Sequence, residues 1–205
     1  MLEQLAGLYP RLFGAVAVPL KRGVFQDLLD AHPEVFERDG LKAALGLHTR
    51  STRYLQGVAT GQQRCDLQGQ PVEALAPDHI YHALVELWRR REGRTPEAER
   101  AALRDHWRSR IARAFEASGL ERTAYAERMR NRDEVAGVML DEALAEAAGH
   151  AARDEALLRA FEASGGTVET FADTYGLDPR VAGRTLDHAR RRRAIAQQQP
   201  ETPAA

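Results

Sequence analysis

Residues 41–75 read LKAALGLHTRSTRYLQGVATGQQRCDLQGQPVEAL, and the hydrophobic period changes along this stretch. Its first half is helical, with Leu41, Ala44, Leu45 and Leu55 on the inner side as far as Val58. A break is expected at Thr49-Arg50-Ser51-Thr52, where capping and β-branched residues cluster. The second half holds two short runs, residues 63–67 and 72–75, around Gly69 and Pro71, and reads as a hairpin. Upstream, Leu2, Leu5 and Leu8 give a short helix ending near Tyr9-Pro10. Val24, Phe25, Leu28 and Leu29 give another helix, stopped before Pro33. Downstream, Pro77-Asp78 opens a helix carrying Ile80, Ala83, Leu84, Leu87 and Trp88 on one face. The expected fold is therefore mainly α, a compact helical domain with one small β-hairpin.

Composition shifts near residue 94, beyond which Ala, Glu, Arg and Leu, all strong helix formers, dominate. Gly93 is expected to close one helix, Thr95 to cap the next and Pro96 to occupy its first turn. An internal repeat follows: RAFEASG at residues 113–119 recurs at 159–165, a shift of 46. The register holds through Ala126 and Ala172, Val135 and Val181, and Leu140 and Leu186. Two helical units of about three helices each are the natural reading. The expected partition is 1–94, a helical repeat region 95–196, and a disordered tail 197–205 rich in Gln and Pro.

The chain has 205 residues, 29 basic and 30 acidic, for a formal net charge of −1. A mean hydropathy of −0.48 and the lack of any long apolar run argue against an integral membrane protein. The opening MLEQLAGLYPRLF shows no basic n-region or cleavage site, so a cytoplasmic protein is expected. Near-neutrality at first argues against a polyanion partner, but the charges are unevenly placed. Residues 38–64 carry Arg38, Lys42, Arg50, Arg53 and Arg64 against the single acid Asp39. The next stretch, 66–87, holds Asp66, Glu73, Asp78 and Glu86 and no Lys or Arg. An acid-poor window in a highly charged chain is a candidate phosphate surface. On one continuous helix Arg38, Lys42, Thr49 and Arg53 would share a face, with Tyr54 beside them to stack on a base. An ordinary solvated helix face is the other reading of this pattern.

Other chemistry is weakly signalled. His79 and His82 lie three apart, with no acidic or thiol partner at a ligand spacing, and read as surface or helix-lining residues. Cys65 reads as a small packing residue. No phosphate-binding glycine loop and no nucleophile elbow is present, so no enzyme, cofactor, metal or small-molecule substrate is implied. Residues 167–189 resemble a helix-turn-helix superficially and precede Arg190-Arg191-Arg192-Arg193, but Val181 falls one place early in that pattern.

From about Leu8 to Arg91 the chain resembles the ProQ/FinO family of bacterial RNA-binding proteins. The resemblance is carried by PLKRGVFQDL at 19–28, LKAAL at 41–45, Thr49, Arg53-Tyr54-Leu55, Gly57-Val58, Gly61, Arg64, Asp66-Leu67, Gly69 and Pro71. It implies a helical domain with an inserted hairpin, whose basic concave face binds the lower stem and 3′ tail of terminator hairpins. Members act as RNA chaperones or as matchmakers for small regulatory RNAs and mRNAs. Carried over, Lys21, Arg38, Lys42, Arg53, Tyr54 and Arg64 would form the RNA surface, and Thr49 would lie at the 3′-end pocket. The chain departs from the pattern at Gly46, where a basic residue is frequent, and at His48, where an aromatic is frequent. The rival readings place function in residues 95–196. One is a protein-interaction or oligomerisation module using Leu103, Trp107, Ile111 and Phe115, and the other is a DNA binder.

Overall fold

The structure, a computed structural model, describes residues 1–130 and 132–198. The expected tail lies outside the described residues from 199 onward. The chain is mainly α, with eleven helices and one two-stranded hairpin among the described residues. Its contacts divide it into two compact units, Met1–Leu144 and a second beginning at Ala145, so the composition shift at residue 94 falls inside the first. No described helix is long and apolar enough to cross a membrane.

The first unit opens with α1 (Leu2–Leu8), α2 (Pro10–Phe13) and α3 (Val24–Ala31). The break expected near residue 50 is real: α4 spans Arg38–Thr49 and α5 spans Thr52–Ala59. The Thr49 hydroxyl donates back to the Leu45 carbonyl at 2.9 Å, and Ser51 caps α5 by accepting from the Tyr54 N–H at 3.2 Å. Both residues favour a stop at this point. The continuous helix that would have aligned Arg53 with Arg38 and Lys42 therefore does not form.

The hairpin pairs β1 (Arg64–Cys65) with β2 (Pro71–Glu73). Asp66 builds its turn: one carboxylate oxygen accepts from the Gln68 and Gln70 N–H groups, and Gly69 adopts φ +77°. The hairpin is tied to the segment before α3, because the Cys65 N–H donates to Pro19 O at 2.7 Å and Lys21 N–H donates to Cys65 O at 2.8 Å. Leu5, Leu12, Leu20, Leu28, Leu41, Ala44, Val58 and Leu75 share the core beneath these elements. Cys65 packs there too, and its thiol pKa is pushed up by burial and then by the Asp66 charge.

Helix α6 (Pro77–Glu92) is buried over much of its circumference, through Tyr81, Ala83, Leu84, Val85, Leu87 and Trp88. It packs against α5 on one side and α7 (Arg100–Ser118) on the other. Thr95 does not cap α7; its hydroxyl donates to Arg91 O, extending the end of α6, and a 3₁₀ turn at Glu97–Glu99 precedes α7. Trp107 and Ile111 on α7 are buried within this unit, so the face read as a partner surface is largely covered by the chain itself. Tyr81 donates to the Ala136 carbonyl at 3.2 Å, and burial pushes its phenol up to about 12.

The repeat is a repeat of packing. After α7 come α8 (Arg122–Met129), α9 (Glu134–Ser164), α10 (Val168–Thr174) and α11 (Pro179–Gln198). Gly119 and Gly165 both end a helix with positive φ, and Glu121 and Thr167 both cap the short helix that comes next. Phe115 meets Tyr125 edge-on at 5.1 Å, and 46 residues later Phe161 meets Phe171 edge-on at 5.3 Å. Ala136, Leu140 and Ala143 are buried, as are Ala182, Leu186 and Ala189. Each copy thus contributes one short and one long helix, and α9 closes the first copy and opens the second.

One backbone approach is especially tight. A Cβ on Gly57 of α5 would sit 2.3 Å from the Ala17 carbonyl oxygen, a backbone atom that has nowhere to go. Gly57→Ala is expected to destabilise the protein by about 2 kcal/mol or more, measured by urea denaturation.

Candidate nucleic-acid interface

The site is built on α4, α5 and the hairpin. Arg38 and Lys42 lie one turn apart on α4 and line a groove of about 340 Å³ with Phe25, Asp39 and Leu45. The Arg38 guanidinium lies 5.5 Å from the centre of the half-buried Phe25 ring. Lys42 is exposed and has no hydrogen-bond or ion-pair partner among the described residues. Thr49 follows Lys42 by seven residues on the same helix. With its proton committed to Leu45 O, its oxygen can accept from a ribose hydroxyl but does not donate to a phosphate.

Arg53 starts from α5, exposed, and reaches back to the Gly14 carbonyl at 3.3 Å. Arg50, at the corner between α4 and α5, is also exposed. Its guanidinium lies over Gly46, where an added Cβ would be 3.4 Å from Arg50 Nη2. Arg50 thus places a positive charge over position 46. The charge pattern pointed to Arg50, but no single motif singled it out.

Two of the expected contact residues are also tied into the fold, on the wall of a cleft that His79 shares. Tyr54 is only 7% exposed, and its hydroxyl accepts from the Leu20 N–H at 3.2 Å. Its ring packs edge-on against His48 with centroids 5.2 Å apart, which leaves little of it open to a base. Arg64 has 13% of its side chain exposed. One guanidinium nitrogen donates to Leu20 O at 2.9 Å, another lies 3.1 Å from His79 Nδ1, and Glu73 stands nearby. His79, expected as a surface or helix-lining histidine, is part of how Arg64 is held. Among the described residues no group of three or more His, Cys, Asp or Glu converges as a metal site would require. Lys21 is partly exposed and paired with Asp27 at 2.8 Å; that hydrogen bond, and then the Asp27 charge, raises the ammonium above the usual lysine value.

His48 occupies an aromatic's place in the packing. It lies 4.7 Å from the Phe13 ring centre, and its Nε2 is buried without a hydrogen-bond partner. Burial, and then the charge of Arg53, lowers its pKa below the ordinary imidazole value of 6.5. The neutral ring is thus favoured by folding. Its contribution is fully present above about pH 6.5 and is lost as pH falls from there toward the lowered folded value.

The arginine run at 190–193 is largely neutralised within the second unit. Arg190 pairs with Asp187, Arg192 with Asp154, and Arg193 with Glu155 and Glu162. Only Arg191 of the four shows no such pairing among the described residues, which leaves little free charge for a DNA backbone.

Residues 1–100 match the sequence profile of the ProQ/FINO family. No solved structure matches the chain.

Removing the buried groups has predictable results. Tyr54→Phe leaves the Leu20 N–H unpaired and is expected to cost about 1–3 kcal/mol of stability, with Arg64→Ala costing at least as much. Lys42→Ala is expected to stay within about 0.5 kcal/mol of the parent. Denaturant titration separates the three. Thermal melts from pH 8 to pH 5 should show a midpoint that falls below about pH 6.5, and His48→Phe should flatten that fall.

Proposed function

Because residues 1–100 belong to the ProQ/FinO family of RNA-binding proteins, we propose that this protein is a non-catalytic RNA chaperone acting on structured RNA, namely the terminator hairpins and 3′ ends of small regulatory RNAs and mRNAs. Its work would be post-transcriptional, in the cytoplasm of a bacterium. The RNA-binding module is taken as residues 1–94. The observation that carries this reading is the pair of exposed cations Lys42 and Arg53, on two helices of the family domain and without carboxylate partners among the described residues. Arg38 on α4 and Arg50 at its C-terminal corner add further cations, and Lys21, partly offset by Asp27, adds one before α3.

The chemistry suits a duplex end. Lysine and arginine contacts to phosphates give affinity without base readout, and hydroxyl acceptors such as Thr49 distinguish ribose. Phe25 beside Arg38 is the more accessible ring for stacking, since Tyr54 is largely buried. The small net charge fits a binder that relies on one local face.

Fluorescence anisotropy with a 3′-tailed terminator hairpin tests the reading. Lys42→Ala and Arg53→Ala should each weaken binding by about 1 kcal/mol. Each should also lower the slope of log affinity against log salt by about 0.7–0.9. Unchanged affinity and slope in both variants would remove this surface from RNA binding.

A further inference from the structure

Between α5, the C-terminal end of α6 and α7 lies a cleft of about 410 Å³, separate from the RNA surface on α4 and α5. Arg90, Arg91 and Arg94 line it from the α6 side, and His106, Trp107 and Arg110 from α7. No carboxylate is among its lining residues. Much of it lies on α7, beyond the residues that match the family profile.

The charges here are not spent on one another. Arg90 is paired with Glu86 at 2.8 Å and donates to Thr52 Oγ1 at 3.1 Å. Arg91 and Arg94 are exposed, and neither side chain has an ion-pair partner among the described residues. Arg110 lies over the Trp107 ring, 4.4 Å from its centre, with no acid among the described residues to balance it. Its burial, and then the neighbouring Arg113, disfavours its charged form, a cost that a bound anion would reverse. The indole N–H of Trp107 is buried with no hydrogen-bond partner. A folded protein rarely leaves such a donor idle next to uncompensated cations.

We propose that this cleft binds phosphate groups, and that the strand it takes is the RNA leaving the N-terminal face. The second clause rests on the proposed function. Thr52 and Gln56 of α5 form the lip of the cleft, and Arg53 of the RNA surface is the next residue after Thr52. Arg53 turns toward Gly14 while Thr52 faces Arg90, so a strand held by Arg53 has one turn of α5 to cross before it meets Arg90, Arg91, Arg94 and Arg110. Arginine forks suit the phosphate oxygens, and Gln56 and Thr52 can bond ribose hydroxyls. α7 would thereby lengthen the footprint that residues 1–94 make.

The full-length protein tests this with two ligands. For the tailed hairpin, the Arg91→Gln/Arg94→Gln double variant should bind about tenfold more weakly, with the salt slope reduced by about 1.5. Arg110→Gln should act in the same direction, and a Lys42→Ala control should lose affinity independently. For tripolyphosphate, the intrinsic tryptophan fluorescence of the parent should change on titration, and the change should vanish in Trp107→Phe and in the double variant. A double variant that binds hairpin normally but loses the tripolyphosphate response overturns RNA as the occupant and assigns the cleft to a free phosphorylated ligand. Normal hairpin binding together with no tripolyphosphate response in the parent overturns the site altogether. A parent that binds no hairpin refutes the proposed function, and the tripolyphosphate titration alone then decides the cleft. Circular dichroism melts separate lost contacts from lost folding: the arginine variants are expected to match the parent, and Trp107→Phe, at a buried position, to melt lower while remaining folded.

Discussion

The peptide unit at Leu20 is satisfied by side chains from two distant elements, and the N-terminal domain depends on that arrangement. Its N–H donates to the Tyr54 hydroxyl on α5, and its carbonyl accepts from Arg64 on β1. On either side, Pro19 O and Lys21 N–H bond to the Cys65 backbone. A buried, irregular segment carries obligatory donors and acceptors that no helix ladder can satisfy. Here two side chains and one strand edge do it, and in doing so fix α5, the hairpin and the start of α3 against each other. Arg64 then reaches His79, which brings the first turns of α6 into the same assembly.

This constraint decides which cations are free for a ligand. Arg64 is tied to Leu20 and His79 and has little surface left. Lys42 on α4, Arg50 at the corner and Arg53 on α5 are exposed, and no acid among the described residues answers them. The same separation of structural and free arginines recurs on α6, where Arg89 pairs with Asp133 and Arg90 with Glu86, while Arg91 remains available. In the second unit the balance tips the other way, and most of the arginine run is absorbed by α9 acids.

Helix α6 links the hairpin domain to the helices beyond residue 95. One of its faces closes the core over α5, and another packs α7, which is why Trp107 and Ile111 are interior residues. The apolar spacing on α7 marked a buried face. It contained no signal of whether the cover came from another chain or from α6, because hydrophobic burial has no preferred partner beyond shape. The repeat was more transparent, since a positive-φ glycine, a capping residue and an aromatic pair each need a particular residue type at a particular offset.

The amino-acid sequence by itself determined the helices, the stop between Thr49 and Thr52, the Asp66–Gly69 turn and the 46-residue period. These are local events governed by caps, back-bonding hydroxyls and glycine φ, all of which act within a few residues. It also located the excess of positive charge, because counting acids along a window needs no coordinates. Only the tertiary structure decided how those charges are used. Tyr54 and Arg64 look like ligand contacts in the chain, yet the Tyr54 hydroxyl and one Arg64 nitrogen bond Leu20, 34 and 44 residues away, and a second Arg64 nitrogen meets His79. His48 became a packing ring between Phe13 and Tyr54, and Arg50 came to lie over Gly46, through contacts made only after the chain folds. Burial and ion pairing are long-range properties of a side chain, and they separate a free cation from a structural one.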